Sequence, residues 1–139
     1  MSTVAIDDAR VGRMKLLSIA ALLLVPSLAL AERDYNDADA KVTHDCANEP
    51  SVTINASGGT YTFTGKCSKI VVNGASVKLG VASVEKIAIN GASNRVDLGA
   101  AGKISVTGSS NEVTWKTGLS GAKPKVSSVG TGNKISQSK

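Results

Sequence analysis

Four lysines recur at one position of a repeat: Lys69, Lys86, Lys103 and Lys125, separated by 17, 17 and 22 residues. Charged amines held on one face at regular steps suit phosphates, lipopolysaccharide or acidic glycans. The same lysines have a second reading, as charges that keep sheet edges from pairing with one another. A companion series, Lys78, Arg95, Glu112 and Lys134, breaks its sign at Glu112. Trp115 adjoins the segment Lys116–Pro124, where an indole could serve as a stacking platform for a sugar. It also falls in register with Val81 and Leu98, and that register favours a place in the core.

The remaining polar residues offer little for catalysis. Glu85, Asp97 and Glu112 are the carboxylates of the repeat body, and they do not share an equivalent position. Polysaccharide-active β-solenoids are far longer and use clefts with clustered acids, so the chain is read as a non-enzyme with no cofactor. His44 has no serine or cysteine nucleophile in a recognisable motif and is read as a solvated cap residue. Asp34, Asp37 and Asp39 lack the glycine and terminal glutamate of a calcium loop and are read as a disordered acidic leader. Cys46 and Cys67 are the only cysteines. In an oxidising compartment they would close a loop of about 22 residues, worth roughly 3 kcal/mol. A metal site is the weaker reading, because two distant thiols and one histidine do not make a tetrahedral set.

These residues are positioned by a 17-residue repeat. Lys69-Ile70-Val71-Val72-Asn73-Gly74-Ala75-Ser76 returns as Lys86 to Ser93 and again as Lys103 to Ser110. Leu79, Val96 and Val113 form one later column, and Val81, Leu98 and Trp115 another. Upstream, Val52 to Asn55 matches Ile70 to Asn73 at a spacing of 18; downstream, Val126 matches Ile104 at 22, with the extra residues inside Thr117–Pro124. Apolar residues alternate within each unit and are punctuated by Asn-Gly, Ser or Gly, which reads as strand. Two architectures fit: a β-solenoid of about five coils, each 17–22 residues long, or an antiparallel meander of hairpins. Recurrence at turn positions as well as core positions favours the solenoid, because stacking rewards the same residue at the same corner. Asn94, Asn111 and Asn133 would form one polar ladder, and Ser76, Ser93 and Ser110 another.

Residues 1–31 read as a secretory signal peptide. Leu16 to Leu24 is apolar, Arg10, Arg13 and Lys15 precede it, and Ala29-Leu30-Ala31 supplies the cleavage site. Asp7 and Asp8 are unusual in such a leader, so Met14 is an alternative start. Cleavage leaves 108 residues, one domain, with an acidic segment or cap at 32–50 and the β-repeat domain at 51–139. No transmembrane segment is expected after cleavage. The acidic segment holds six acids against two bases, a net charge of −4; the repeat body holds eleven bases against three acids, a net +8. Such segregation suggests an anionic partner or internal docking of the acidic segment, with solubility as the plainer explanation. Specific nucleic-acid binding is disfavoured, since Tyr35, Tyr61, Phe63 and Trp115 are the only aromatics of the mature chain.

The leader, the Cys46/Cys67 pair and the G-x-x-N-x-V pattern of Gly91 to Val96 and Gly108 to Val113 together resemble a family of small exported bacterial proteins, domain of unknown function 3060. The resemblance spans about residues 46–137. Val77, where the pattern has asparagine, departs from it, as does Gly130-Thr131-Gly132-Asn133 in the final unit. The resemblance implies an exported, repeat-built domain and no catalytic residues. The expectation is therefore a secreted or periplasmic, non-enzymatic protein with a structural or interaction role at the cell envelope. The alternative is an anion- or glycan-binding module using the lysine ladder and the Trp115–Lys125 loop.

Overall fold

The computed structural model describes residues 32–139; the leader and its cleavage site lie outside the described residues. These residues form a parallel β-solenoid of about six turns, with no helix among them. The strands are β1 (Glu32–Tyr35), β2 (Lys41–Asp45), β3 (Ser51–Asn55), β4 (Thr60–Ala75), β5 (Lys78–Ala92), β6 (Arg95–Ser109), β7 (Glu112–Gly118), β8 (Lys125–Thr131) and β9 (Lys134–Gln137). Every pairing is parallel, which excludes the meander. β4, β5 and β6 each bend round a corner, so one strand contributes to two stacks. The first stack runs β1, β3, the second halves of β4, β5 and β6, then β8. The second runs β2, the first halves of β4, β5 and β6, then β7 and β9.

Alternation turns every second side chain inward, and parallel register places like on like. Val52, Ile70, Ile87 and Ile104 form one buried column, and Ile54, Val72, Ile89 and Val106 the next. Across the interior stand Tyr61, Leu79, Val96 and Val113, then Phe63, Val81, Leu98 and Trp115. Each fully buried aliphatic contributes about 1.5–3 kcal/mol relative to exposure. β-Branched residues dominate because they fit a pleated surface packed on both neighbours.

Corners repeat as strictly as the core. Asp39, Gly58, Ser76, Ser93, Ser110 and Gly132 all adopt left-handed backbone, with φ between 55° and 74°. One such residue per coil closes the turn between the two stacks. Just before it, Gly91 and Gly108 stack so closely that a Cβ on Gly91 would run into the Gly74 carbonyl oxygen. Inside the same corner Asn94 and Asn111 are buried. Asn111 Oδ1 accepts from both the backbone N–H and the side-chain amide of Asn94 at 3.0 Å. Asn94 Nδ2 also donates to the Gly74 carbonyl, and Asn111 Nδ2 to that of Gly91, each at 3.0 Å. The inner asparagine ladder thus satisfies corner groups that strand pairing leaves out.

The acidic segment departs from the expected disordered leader: it is the first coil. β1 pairs with β3 from Glu32↔Ser51 to Tyr35↔Ile54, and β2 pairs with β4 from Lys41↔Thr60 to Asp45↔Thr64. Asp34 lies in the middle of β1 and Asp39 occupies the corner. His44 is buried, not solvated, one rung from Phe63 and edge-on to it at 5.5 Å. Its Nε2 lies 2.9 Å from the Glu49 carbonyl, which can only accept, so Nε2 carries a proton, and Nδ1 hydrogen-bonds the Tyr35 hydroxyl at 2.8 Å. The inward run Val42, His44, Cys46 continues the alternation, and the disulfide Cys46–Cys67 joins this coil to the next with Cα atoms 5.0 Å apart. That separation is close to one rung of a sheet.

Candidate functional site

The first stack presents three outward columns. Ser51, Lys69, Lys86, Lys103 and Lys125 form one; Thr53, Val71, Ala88, Ser105 and Ser127 the second; Asn55, Asn73, Asn90, Thr107 and Val129 the third. From β3 onward no outward position of this stack carries a carboxylate. The four lysines are exposed, and successive rungs hold them at the sheet spacing of about 4.8 Å. None of them makes an ion pair among the described residues. Lys69, Lys86 and Lys103, with Ala88 and Ser105, line a shallow recess of about 260 Å³. Round the corner, Lys86 and Lys103 also border a recess of about 510 Å³ with Lys66, Glu85 and Leu119.

The second reading of the lysines, edge protection, fits only part of the column. Lys69, Lys86 and Lys103 stand on rungs bonded to neighbours on both sides, so they guard no edge. Lys125 is on β8, whose sole partner among the described residues is β6. The companion series behaves differently. Arg95 Nε lies 3.3 Å from Glu112 Oε1, one rung away, so that column neutralises itself at its centre. The lysines of the first stack, by contrast, have no carboxylate on the rung beside them.

Sequence reasoning passed over the third column. Asn36, Asn55, Asn73 and Asn90 are exposed and form an outer amide ladder. Asn73 Nδ2 donates to Asn55 Oδ1 and Asn90 Nδ2 to Asn73 Oδ1, both at 2.9 Å; Asn55 Nδ2 reaches Asn36 Oδ1 at 3.3 Å. The recurring Asn-Gly was legible as turn punctuation, which hid the asparagine's outward direction. Amides beside amines give hydrogen-bonding and charge on one flat face.

Trp115 is not presented to a ligand. It is 7% exposed and stacks on Leu98 in the interior, so the sugar-platform reading is corrected to a core role. Residues Leu119 and Ser120 of the following loop do reach the corner recess. The carboxylates stay apart: Asp97 accepts from the Thr114 hydroxyl at 2.6 Å, and Glu112 faces Arg95. Tyr61, fully buried, donates from its hydroxyl to the Asp37 carbonyl at 3.4 Å. Burial, then the charge of Asp37 and the neighbouring Tyr35, push its pKa above the usual tyrosine value.

Compared with known proteins, the chain matches no curated protein and no solved structure. The family model described as a protein of unknown function, DUF3060, matches residues 54–102 and, overlapping them, 83–132. Those matches span the lysine rungs, the corner glycines and the inner asparagines, and the chain belongs to that family.

Proposed function

We propose that this chain is an exported, non-catalytic interaction module of the cell envelope, and that its first stack binds an anionic glycan or another anionic envelope polymer. One observation carries the reading: Lys69, Lys86 and Lys103 occupy consecutive interior rungs around one recess, on a face that from β3 onward has no carboxylate. Like charges so close repel one another in water, and that repulsion is relieved when a polyanion lies across them. The adjoining Asn ladder supplies donors and acceptors of the kind sugar hydroxyls use. Export is supported by the Leu16–Leu24 run, Ala29-Leu30-Ala31 and a disulfide that persists in oxidising compartments.

The test compares two triple variants of equal charge. Lys69, Lys86 and Lys103 to Gln should abolish retention on immobilised heparin. Lys78, Lys116 and Lys134 to Gln should leave most of it, and wild-type retention should fall steeply with salt. Equal losses from both triple variants would mean that net charge alone is being read. A wild-type protein that passes through unretained at low salt would refute the reading.

A further inference from the structure

Among the described residues, the two ends of the solenoid differ in charge, and each presents the edges of two parallel-paired strands. At the C-terminal end, β8 is exposed along its whole length. Val126 occupies the inward column of Val52, Ile70, Ile87 and Ile104, which are at most 2% exposed, yet Val126 is 47% exposed and Val129 62%. Nothing among the described residues covers this end: β8 bonds only to β6, and β9 only to β7. The last segment carries Lys123, Lys125, Lys134 and Lys139 and no acid. At the other end, among the described residues, β1 bonds only to β3 and β2 only to β4, on a coil that holds six acids against two bases.

We propose that the processed chain, beginning at Glu32, assembles head to tail: the open last coil of one copy docks on the acidic first coil of the next. Both ends offer strand edges running in the same direction, so the solenoid can continue across the junction with parallel register. Glu32 belongs to the same column as Lys125, through Ser51, Lys69, Lys86 and Lys103. Continued register therefore sets Lys125 of one copy against Glu32 of the next. Ile135 would meet Val42, and Val126 would meet the stem of Arg33, whose guanidinium lies 5.4 Å from the Tyr35 ring. One rung opposes like charges, Lys134 to Lys41, on the other stack, with Glu112 one rung behind Lys134.

Charge also selects the mode. Tail-to-tail docking would press two basic coils together, and head-to-head docking two acidic ones. Only the unlike ends attract, and an end-to-end contact of this kind does not close on itself, so it yields open chains rather than a dimer. A single coil is a small interface, which makes the assembly reversible and dependent on concentration. The inference is independent of anion binding; if both hold, the lysine rungs of successive copies recur along one side, separated at each junction by Glu32 and Ser51.

The experiment is sedimentation of the exported protein over a wide concentration range at low and high salt. The mean mass should climb past that of a dimer at low salt and return to monomer as salt screens the ends. Two charge reversals sharpen the test: Lys123→Glu with Lys125→Glu at the tail, and Glu32→Lys with Asp34→Lys at the head. Each variant alone should need roughly tenfold more protein to assemble, and an equal mixture of the two should assemble again. All four residues are exposed, so folding is not at stake. A monomer at every concentration, a closed dimer, or a mixture that stays monomeric would overturn the proposal.

Discussion

At the scale of residues, neighbouring positions in one strand have opposite fates. Ile89 is fully buried while Ala88 points outward between the lysines. Ile89→Asp should cost several kcal/mol or prevent folding, because a carboxylate there loses water and gains no partner. Ala88→Asp should change the thermal midpoint little, and it places its charge beside Lys86 and Lys103. Equal melting of the two variants would mean the faces are inverted. Tyr61 makes a second prediction. Its pKa is raised in the fold, so above about pH 10 the unfolded chain releases a proton that the folded chain retains. Stability should therefore hold below that pH and fall as pH rises further, and Tyr61→Phe should flatten that part of the profile. A wild-type profile that is level from pH 9 to 11 would contradict the buried hydroxyl.

Coils, the elements of this fold, are bound mainly to their immediate neighbours. The disulfide joins only the first coil to the second, and both cysteines are buried at 1% exposure. Native exported protein should show no titratable thiol. The double variant Cys46→Ala/Cys67→Ala should lose about 3 kcal/mol. Hydrogen exchange should then rise first in β1 and β2, with β5 and β6 protected, since repeat arrays open from their ends. Uniform exchange along the chain would contradict a stack of semi-independent coils. The parallel stacking of these coils was legible because Lys69 to Ser76 returns twice at a fixed step, corner residues included. The first coil was not legible. Its repeat is stretched to 19 residues, its inward sites carry Arg33, Tyr35 and His44, and its acids resemble a disordered tail. Stacking on β3 and β4 supplies what its own composition lacks.

For the whole molecule, the lysine column was visible from spacing alone, but its setting was not. From sequence, Lys69, Lys86 and Lys103 read more readily as edge protection than as a binding face; parallel pairing on both sides puts them on a face. The outer amide ladder stayed hidden because Asn-Gly serves hairpin turns and solenoid corners alike. Trp115, by contrast, was readable as core from its register with Val81 and Leu98. The proposed function makes one sheet of the solenoid a continuous anion-binding surface. The direct measurement is titration of isotope-labelled exported protein with a heparin tetrasaccharide, followed through its amide NMR signals. Shifts should concentrate at Lys69, Val71, Lys86, Ala88, Lys103 and Ser105, leaving Lys78, Arg95 and Lys134 on the other stack nearly still. Shifts spread evenly over both stacks, or centred on the second, would contradict the account.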